Sequence, residues 1–136
     1  MTVMELFEVI PVLNKITQMQ MPLKKAYEIY QLTKSIKEHI DFLTNKEKEM
    51  VEKYNGEYQE ETGEISFKDK KQAQDFYNEH NKFLKEELDI KKITLSKEDL
   101  GTNKISPQDI FILSSCIIFQ IEENVNENII EQDEEE

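Results

Sequence analysis

PLKKAYEIYQLTKSIKEHIDFLTNKEKEMVEKYNG, residues 22–56, carries apolar side chains at Ile29, Ile36, Leu43 and Met50, each seven residues from the last. Ala26, Ile40 and Tyr54 take interleaved positions, and Thr33 and Glu47 fill the two that remain and weaken the seam. A seven-residue apolar spacing marks a helix that keeps one face against a neighbour. Pro22 suits the first helical turn, where its missing N–H would lack a partner anyway, and Gly56 suits a helix stop. The stretch predicts a helix over 23–54, about 50 Å long at 1.5 Å per residue. A small core cannot bury that length alone, so the helix must lie against others from its own chain or from a partner. Leu23, Tyr27 and Tyr30 broaden the apolar face near the start, so that end is expected to be the better buried. Lys46, Glu47, Lys48, Glu49, Glu52 and Lys53 wrap the far end in charge, as in a helix projecting toward solvent.

Outward from this helix, residues 4–19 place Leu6, Val9, Ile10, Leu13 and Ile16 on one helical face. Pro11 interrupts that face and predicts either a kink or a helix starting near Ile10. Between Tyr54 and Lys68 the pattern alternates around Gly63, which reads as a small β-hairpin anchored by Tyr58, Ile65 and Phe67. A third helix is expected over 69–88, with Ser66 and Asp69 spaced as a capping pair. It aligns Ala73, Phe76, Tyr77, His80, Phe83, Leu84 and Leu88. The short connection makes it antiparallel to the long helix, so that Ile29, Ile36, Ile40, Leu43 and Met50 would face Phe76, His80 and Phe83. Ile90, Ile93 and Leu95 suggest an extended stretch, and residues 96–101 a single helical turn with its own cap and glycine stop. Ser106-Pro107-Gln108-Asp109 is a strong helix start, and the segment after it is apolar through Ile121. Residues 116–121 are isoleucine-rich and fit helix or strand, with helix the favoured reading. The expected fold is mainly α: a long antiparallel helical hairpin with flanking N- and C-terminal helices and a small β-hairpin between the long helices. It forms a single helical domain over 1–121, followed by an acidic tail over 122–136.

The 136 residues carry 17 basic and 29 acidic side chains, a net charge of −12. Residues 122–136 hold eight carboxylates and no base, so −8 of that sum lies in the tail and −4 in the remainder. Every basic residue is lysine. The lack of arginine, the side chain best shaped for bidentate contact with guanine and phosphate, argues with the acidic balance against nucleic-acid binding. Cys116 is the one cysteine, which leaves no intrachain disulfide and no cysteine-based zinc site. Inside its apolar run it reads as a buried thiol rather than a nucleophile. No apolar run is long enough to span a bilayer, and residues 1–6 carry no basic flank of a signal peptide. A soluble chain in a reducing cytoplasm, without membrane contact, is the expectation.

The titratable groups predict no catalysis. His39 has no second ligand three or four residues away on its face and is expected to meet solvent. His80 falls among Phe76, Tyr77 and Phe83, where a packed, hydrogen-bonded ring is expected. The pairs Glu47/Glu49, Glu60/Glu61 and Glu86/Glu87 have lysines close by and read as solvated surface. Gly56, Gly63 and Gly101 are too far apart to form a phosphate-cradling loop. The chain is therefore expected to be no enzyme and to use no cofactor or metal. Candidate contact residues are Ile110, Phe111, Ile117, Ile118 and Phe119 in the C-terminal apolar segment, with Ile129 and Ile130 in the tail. An acidic tail can occupy a basic groove on another protein; as a plainer role it keeps the chain in solution.

The order of several short motifs carries a resemblance. These are Glu5-Leu6…Ile10-Pro11-Val12-Leu13, Pro22-Leu23-Lys24, Glu52-Lys53-Tyr54, Glu61-Thr62-Gly63-Glu64 and Ile105-Ser106-Pro107-Gln108-Asp109. In this order the chain resembles short helical proteins encoded by tailed bacteriophages, over residues 3–113. The apolar segment 110–121 and the acidic tail depart from that plan, and none of the motifs is catalytic. The resemblance implies a phage gene product in the host cytoplasm, with the virion as a further location. The function expected is that of a structural or assembly protein acting through protein partners, itself among them. The alternative is an inhibitor that binds a basic host surface through its acidic face and tail.

Overall fold

The structure is a computed structural model that describes residues 1–121; the tail, with Ile129 and Ile130, lies outside the described residues. The fold is mainly helical, with two small two-stranded sheets. In chain order the elements are α1 Val3–Thr17, α2 Leu23–Lys53, β1 Glu57–Tyr58, β2 Ile65–Ser66, α3 Lys70–Leu84, β3 Ile93–Leu95, α4 Lys97–Leu100, α5 Pro107–Leu113 and β4 Ile117–Phe119. The chain divides into two compact units, Met1–Phe7 with Ser35–Asp89 and Glu8–Lys34 with Ile90–Glu136. Two of the three chain boundaries fall inside helices, α1 and α2, and the third lies between α3 and β3.

The first unit begins with a cap that fixes the start of α1. The Thr2 hydroxyl accepts from the Glu5 N–H at 3.2 Å, and the Glu5 carboxylate accepts from the Thr2 N–H at 2.8 Å. This reciprocal capping box starts the helix at Val3, well before Ile10. Pro11 sits inside the helix on an exposed position and leaves the Phe7 carbonyl without its helical donor.

The second half of α2 buries Ile36, Leu43 and Val51, and α3 buries Phe76 and Phe83. Phe76 is fully buried at the centre of an aromatic cluster. Its ring lies 5.0 Å from Phe67, 5.1 Å from His80, 5.2 Å from Tyr77 and 6.4 Å from Tyr54. Helix α2 ends in a Schellman motif: the Gly56 N–H reaches the Val51 carbonyl at 2.8 Å and the Asn55 N–H reaches the Glu52 carbonyl at 3.0 Å. The left-handed residue is Asn55, with φ +57°, so Gly56 is not the conformational stop. Gly56 is needed for space instead, because a Cβ there would run into the Phe67 ring.

The hairpin expected around Gly63 is present, with Tyr58 paired to Ile65 and Glu57 to Ser66. Gly63 has φ +72°, which suits a residue without a side chain. Two sequence expectations for α3 need correction. Its N-cap is Asp69, whose carboxylate accepts from the Lys71 N–H at 3.0 Å, while Ser66 belongs to β2. The helix also stops at Leu84, short of Leu88. The backbone beyond it pairs with the N-terminus: the Val3 N–H donates to the Glu86 carbonyl and the Leu88 N–H to the Met1 carbonyl. Groups committed to that bridge cannot extend the helical ladder.

The second unit buries Val9, Val12, Leu13 and Ile16 of α1, Ile29 and Leu32 of α2, and Leu95, Leu100, Leu113, Cys116 and Ile117. Strands β3 and β4 pair in parallel, Ile93 with Ile117 and Leu95 with Phe119. A parallel pair needs a crossover, which α4 and α5 supply. Helix α4 carries the anticipated capping box of Ser96 and Asp99, and Ser106 caps α5 with Pro107 in the first turn.

The helix favoured over 116–121 is overturned. Helix α5 ends at Leu113, and 117–119 is strand. The Ser114 hydroxyl donates back to the Ile110 carbonyl at 2.6 Å and the Ser115 hydroxyl to the Ile112 carbonyl at 3.2 Å. Paired serines compete for backbone groups, and the β-branched run after them suits a sheet.

The start of α2 also departs from expectation. Leu23 is 86% exposed, Tyr27, Tyr30 and Ala26 are exposed, and the buried residues there are Ile29, Leu32 and Thr33. Thr33 satisfies its hydroxyl on the Ile29 carbonyl at 2.8 Å. A straight helix has 3.6 residues per turn and drifts about 20° per heptad from a strict seven-residue repeat. The buried stripe follows that drift and takes in Leu32 and Val51.

The aromatic cluster yields a stability test. Phe76→Ala should lower unfolding free energy by about 3–5 kcal/mol. Gly56→Ala should cost about 1–3 kcal/mol through the Phe67 ring. Urea denaturation measures both, and a Gly56→Ala protein as stable as the parent would refute the close approach.

Candidate functional site

Ser106, Pro107 and Asp109 set α5, and the Asp109 carboxylate accepts from the Lys15 ammonium of α1 at 3.2 Å. That pairing fixes the side of the short helix which carries Asp109. Phe111 is 82% exposed, and Ile118 on β4 is 48% exposed. Ile110 and Phe119 are half-buried. Ile117 is buried, so it cannot serve as the contact residue the sequence suggested. In a strand, neighbours point to opposite faces, which is why Ile117 goes in and Ile118 out. Phe111 and Ile118 are thus the expected contact residues that the structure leaves open to solvent. Ile129 and Ile130 lie outside the described residues.

A further apolar surface was missed by the sequence reading. Leu23, Tyr27 and Tyr30 share one exposed face of α2, and the two tyrosine rings stack with centroids 6.1 Å apart. At 100° per residue this face lies roughly opposite the stripe of Ile29, Leu32 and Ile36. A helical wheel over residues 23–36 separates the two faces.

In the first unit the polar groups are organised around α2 and α3. The His80 Nε2–H donates to the Glu47 carboxylate at 2.9 Å, with both side chains largely out of water. The imidazole stacks on Phe76 at an interplanar angle of 19° and meets Phe83 at 5.9 Å. Glu47, expected on a solvated face, is instead turned into the seam by this partner. Beside it the Lys53 ammonium meets the Glu79 carboxylate at 3.3 Å. The Tyr54 hydroxyl and Lys53 hold the Glu79 carboxyl below its ordinary pKa. Phe42, Leu43, Met50 and Phe83 line a shallow groove rimmed by Lys46, Lys53, Glu79 and Glu86. His39 is half-buried rather than facing solvent, and its Nδ1–H donates to the Ser35 carbonyl at 2.8 Å. Neither histidine meets a metal-binding set: no group of three His, Cys, Asp or Glu side chains among the described residues could hold a metal ion.

Cys116 is buried, and burial pushes its thiol up to about 12 against a weaker pull from Lys92. The nucleophilic thiolate is therefore suppressed at neutral pH. Asp99 is held below its ordinary pKa by the Ser96 backbone N–H, the bond that closes the α4 capping box. No described helix is long and apolar enough to cross a membrane. Comparison with protein-family models, curated proteins and solved structures finds no match.

The His80–Glu47 pair makes a defined prediction. His80→Phe should destabilise by about 1–3 kcal/mol because Glu47 loses its donor inside the seam. Adding Glu47→Leu should recover most of that loss, since an apolar pair needs no partner. A double-mutant cycle in urea reads the coupling, and strictly additive losses would contradict it.

Proposed function

We propose that this chain is a non-enzymatic structural or assembly protein of a tailed bacteriophage, acting through protein–protein contacts. The observation that carries the reading is the exposure of Phe111 and Ile118, two large apolar side chains on consecutive elements of one unit. Exposed apolar surface favours removal from water by association. The resemblance to phage-encoded helical proteins supplies the setting, the host cytoplasm and the assembling particle. The architecture belongs to the same proposal: α3 runs antiparallel along the second half of α2 as a helical hairpin. Contacts that step backward along α3, Tyr54 to Phe76, Lys53 to Glu79 and Glu47 to His80, support that course.

A second reading rests on charge. Residues 1–7 and 35–89 hold nine lysines against sixteen carboxylates, a balance of −7, and residues 122–136 add −8. An inhibitor that docks on a basic host surface would use these groups, and its binding would weaken with salt. Assembly through Phe111 and Ile118 would tolerate salt, because apolar burial is not screened.

Sedimentation and mass spectrometry of purified particles test the first reading. The chain should be oligomeric or copurify with a virion component, and the Phe111→Asp, Ile118→Asp double variant should lose that association while keeping its helical circular dichroism. A monodisperse monomer with no particle partner would contradict it.

A further inference from the structure

The exposed face of α2 between Leu23 and Lys34 is apolar and basic at once. Leu23, Tyr27 and Tyr30 supply the apolar part. Lys24 and Lys34 are exposed on the same stretch, and among the described residues neither meets a carboxylate. Glu28, the single acid of this stretch, is taken by Lys25 at 2.7 Å. The whole second unit is basic up to Ile121: residues 8–34 and 90–121 hold eight lysines against five carboxylates, a balance of +3. The following residues are the reverse, eight carboxylates without a base, with Ile129-Ile130 embedded between Glu127 and Glu131.

The chain leaves the described fold beside the first turns of α2, on the side of Lys25. Strand β4 pairs with β3, the Gln120 N–H donates to the Leu95 carbonyl at 2.9 Å, and the Lys25 ammonium of α2 donates to the Thr94 carbonyl at 2.8 Å. The exit at Ile121 is therefore only a few side-chain lengths from the first turns of α2. Ile129 is the eighth residue after Ile121, a reach of roughly 26 Å when extended. Lys25 lies about 160° round α2 from Leu23 and Tyr27, and half a turn around a helix roughly 10–12 Å across is about 17 Å, so the reach suffices to bring Ile129 onto the exposed face.

We propose that residues 127–136 of this same chain dock on the exposed α2 face, with Ile129 and Ile130 covering Leu23, Tyr27 and Tyr30 and the flanking carboxylates pairing with Lys24 and Lys34. Charge and apolarity match in the same order on both segments. The tether makes the contact intramolecular, with an effective concentration in the millimolar range, so a weak intrinsic affinity keeps the face occupied. Docking covers the tyrosine pair in the isolated chain and leaves Phe111 as a separate surface. The inference concerns one chain alone and does not depend on the assembly reading.

The test uses the full-length chain with a nitroxide on the thiol of the Asn128→Cys variant; buried Cys116 stays unlabelled, as the parent chain verifies. Amide signals of the isotope-labelled protein are recorded at low salt. Those of Tyr27, Tyr30 and Lys34 should be broadened at least about three-fold more than that of Phe111, with recovery near 0.5 M salt as screening weakens the ion pairs. The Tyr27→Ser, Tyr30→Ser double variant, altered at exposed positions, should lose the broadening. Unbroadened α2 amides, preferential broadening at Phe111, persistence in the double variant, or insensitivity to salt would each overturn the proposal. So would broadening carried between chains in a mixture of spin-labelled and isotope-labelled protein, which would make a second copy the occupant.

Discussion

A helix of 31 residues has to choose which side it buries, and its 3.6-residue turn makes the choice. Ile29, Leu32, Ile36, Leu43 and Val51 are the buried apolar residues of α2, with half-buried Ile40, Glu47 and Met50 filling the same stripe. Everything placed on the opposite side must reach water or a partner. That constraint exposes Leu23, Tyr27 and Tyr30. It also turns Glu47 inward, where a bare carboxylate would be costly, and so ties α2 to His80 of α3. The stack of that imidazole on Phe76 links the pair to the aromatic cluster, so a polar contact and an apolar core share one wall.

Backbone hydrogen bonding settles the ends of the elements. Residues 86–88 bond to the first three residues of the chain and stop α3 early. Asn55 accepts the left-handed conformation that ends α2 and leaves Gly56 to make room for Phe67. Ser114 and Ser115 draw on α5 carbonyls, after which the isoleucines join β3 as a parallel strand. In each case a hydrogen-bonding alternative to the helical ladder ends the helix, local at Asn55 and at Ser114 and Ser115 and long-range at residues 86–88.

Local chemistry was the legible part of the sequence. Caps at Ser96 and Ser106, the hairpin around Gly63 and the span of α2 followed from residue types whose effects act over three or four positions. The cap of Thr2 on Glu5 had the same signature and went unread. What could not be read depends on distant pairing. Nothing near Ile117 announces that Ile93 will be its strand partner, and nothing near Leu88 announces the N-terminal segment. Leu23, Tyr27 and Tyr30 are different: they are near the seam in sequence, but the helical turn sets them on its far side. Among the contact residues, alternation along β4 separates Ile117 from Ile118 once the strand is known, a distinction that a helical reading hid.

The phase of the buried stripe on α2 governs which side chains the rest of the fold must cover. The most direct measurement compares urea denaturation of Leu32→Ala with that of Leu23→Ala. Leu32→Ala should lose about 2–4 kcal/mol as a buried side chain becomes a cavity. Leu23→Ala should stay within about 0.5 kcal/mol of the parent, as an exposed substitution does. Equal losses, or a larger one at Leu23, would place the buried face on the other side of the helix and contradict the account.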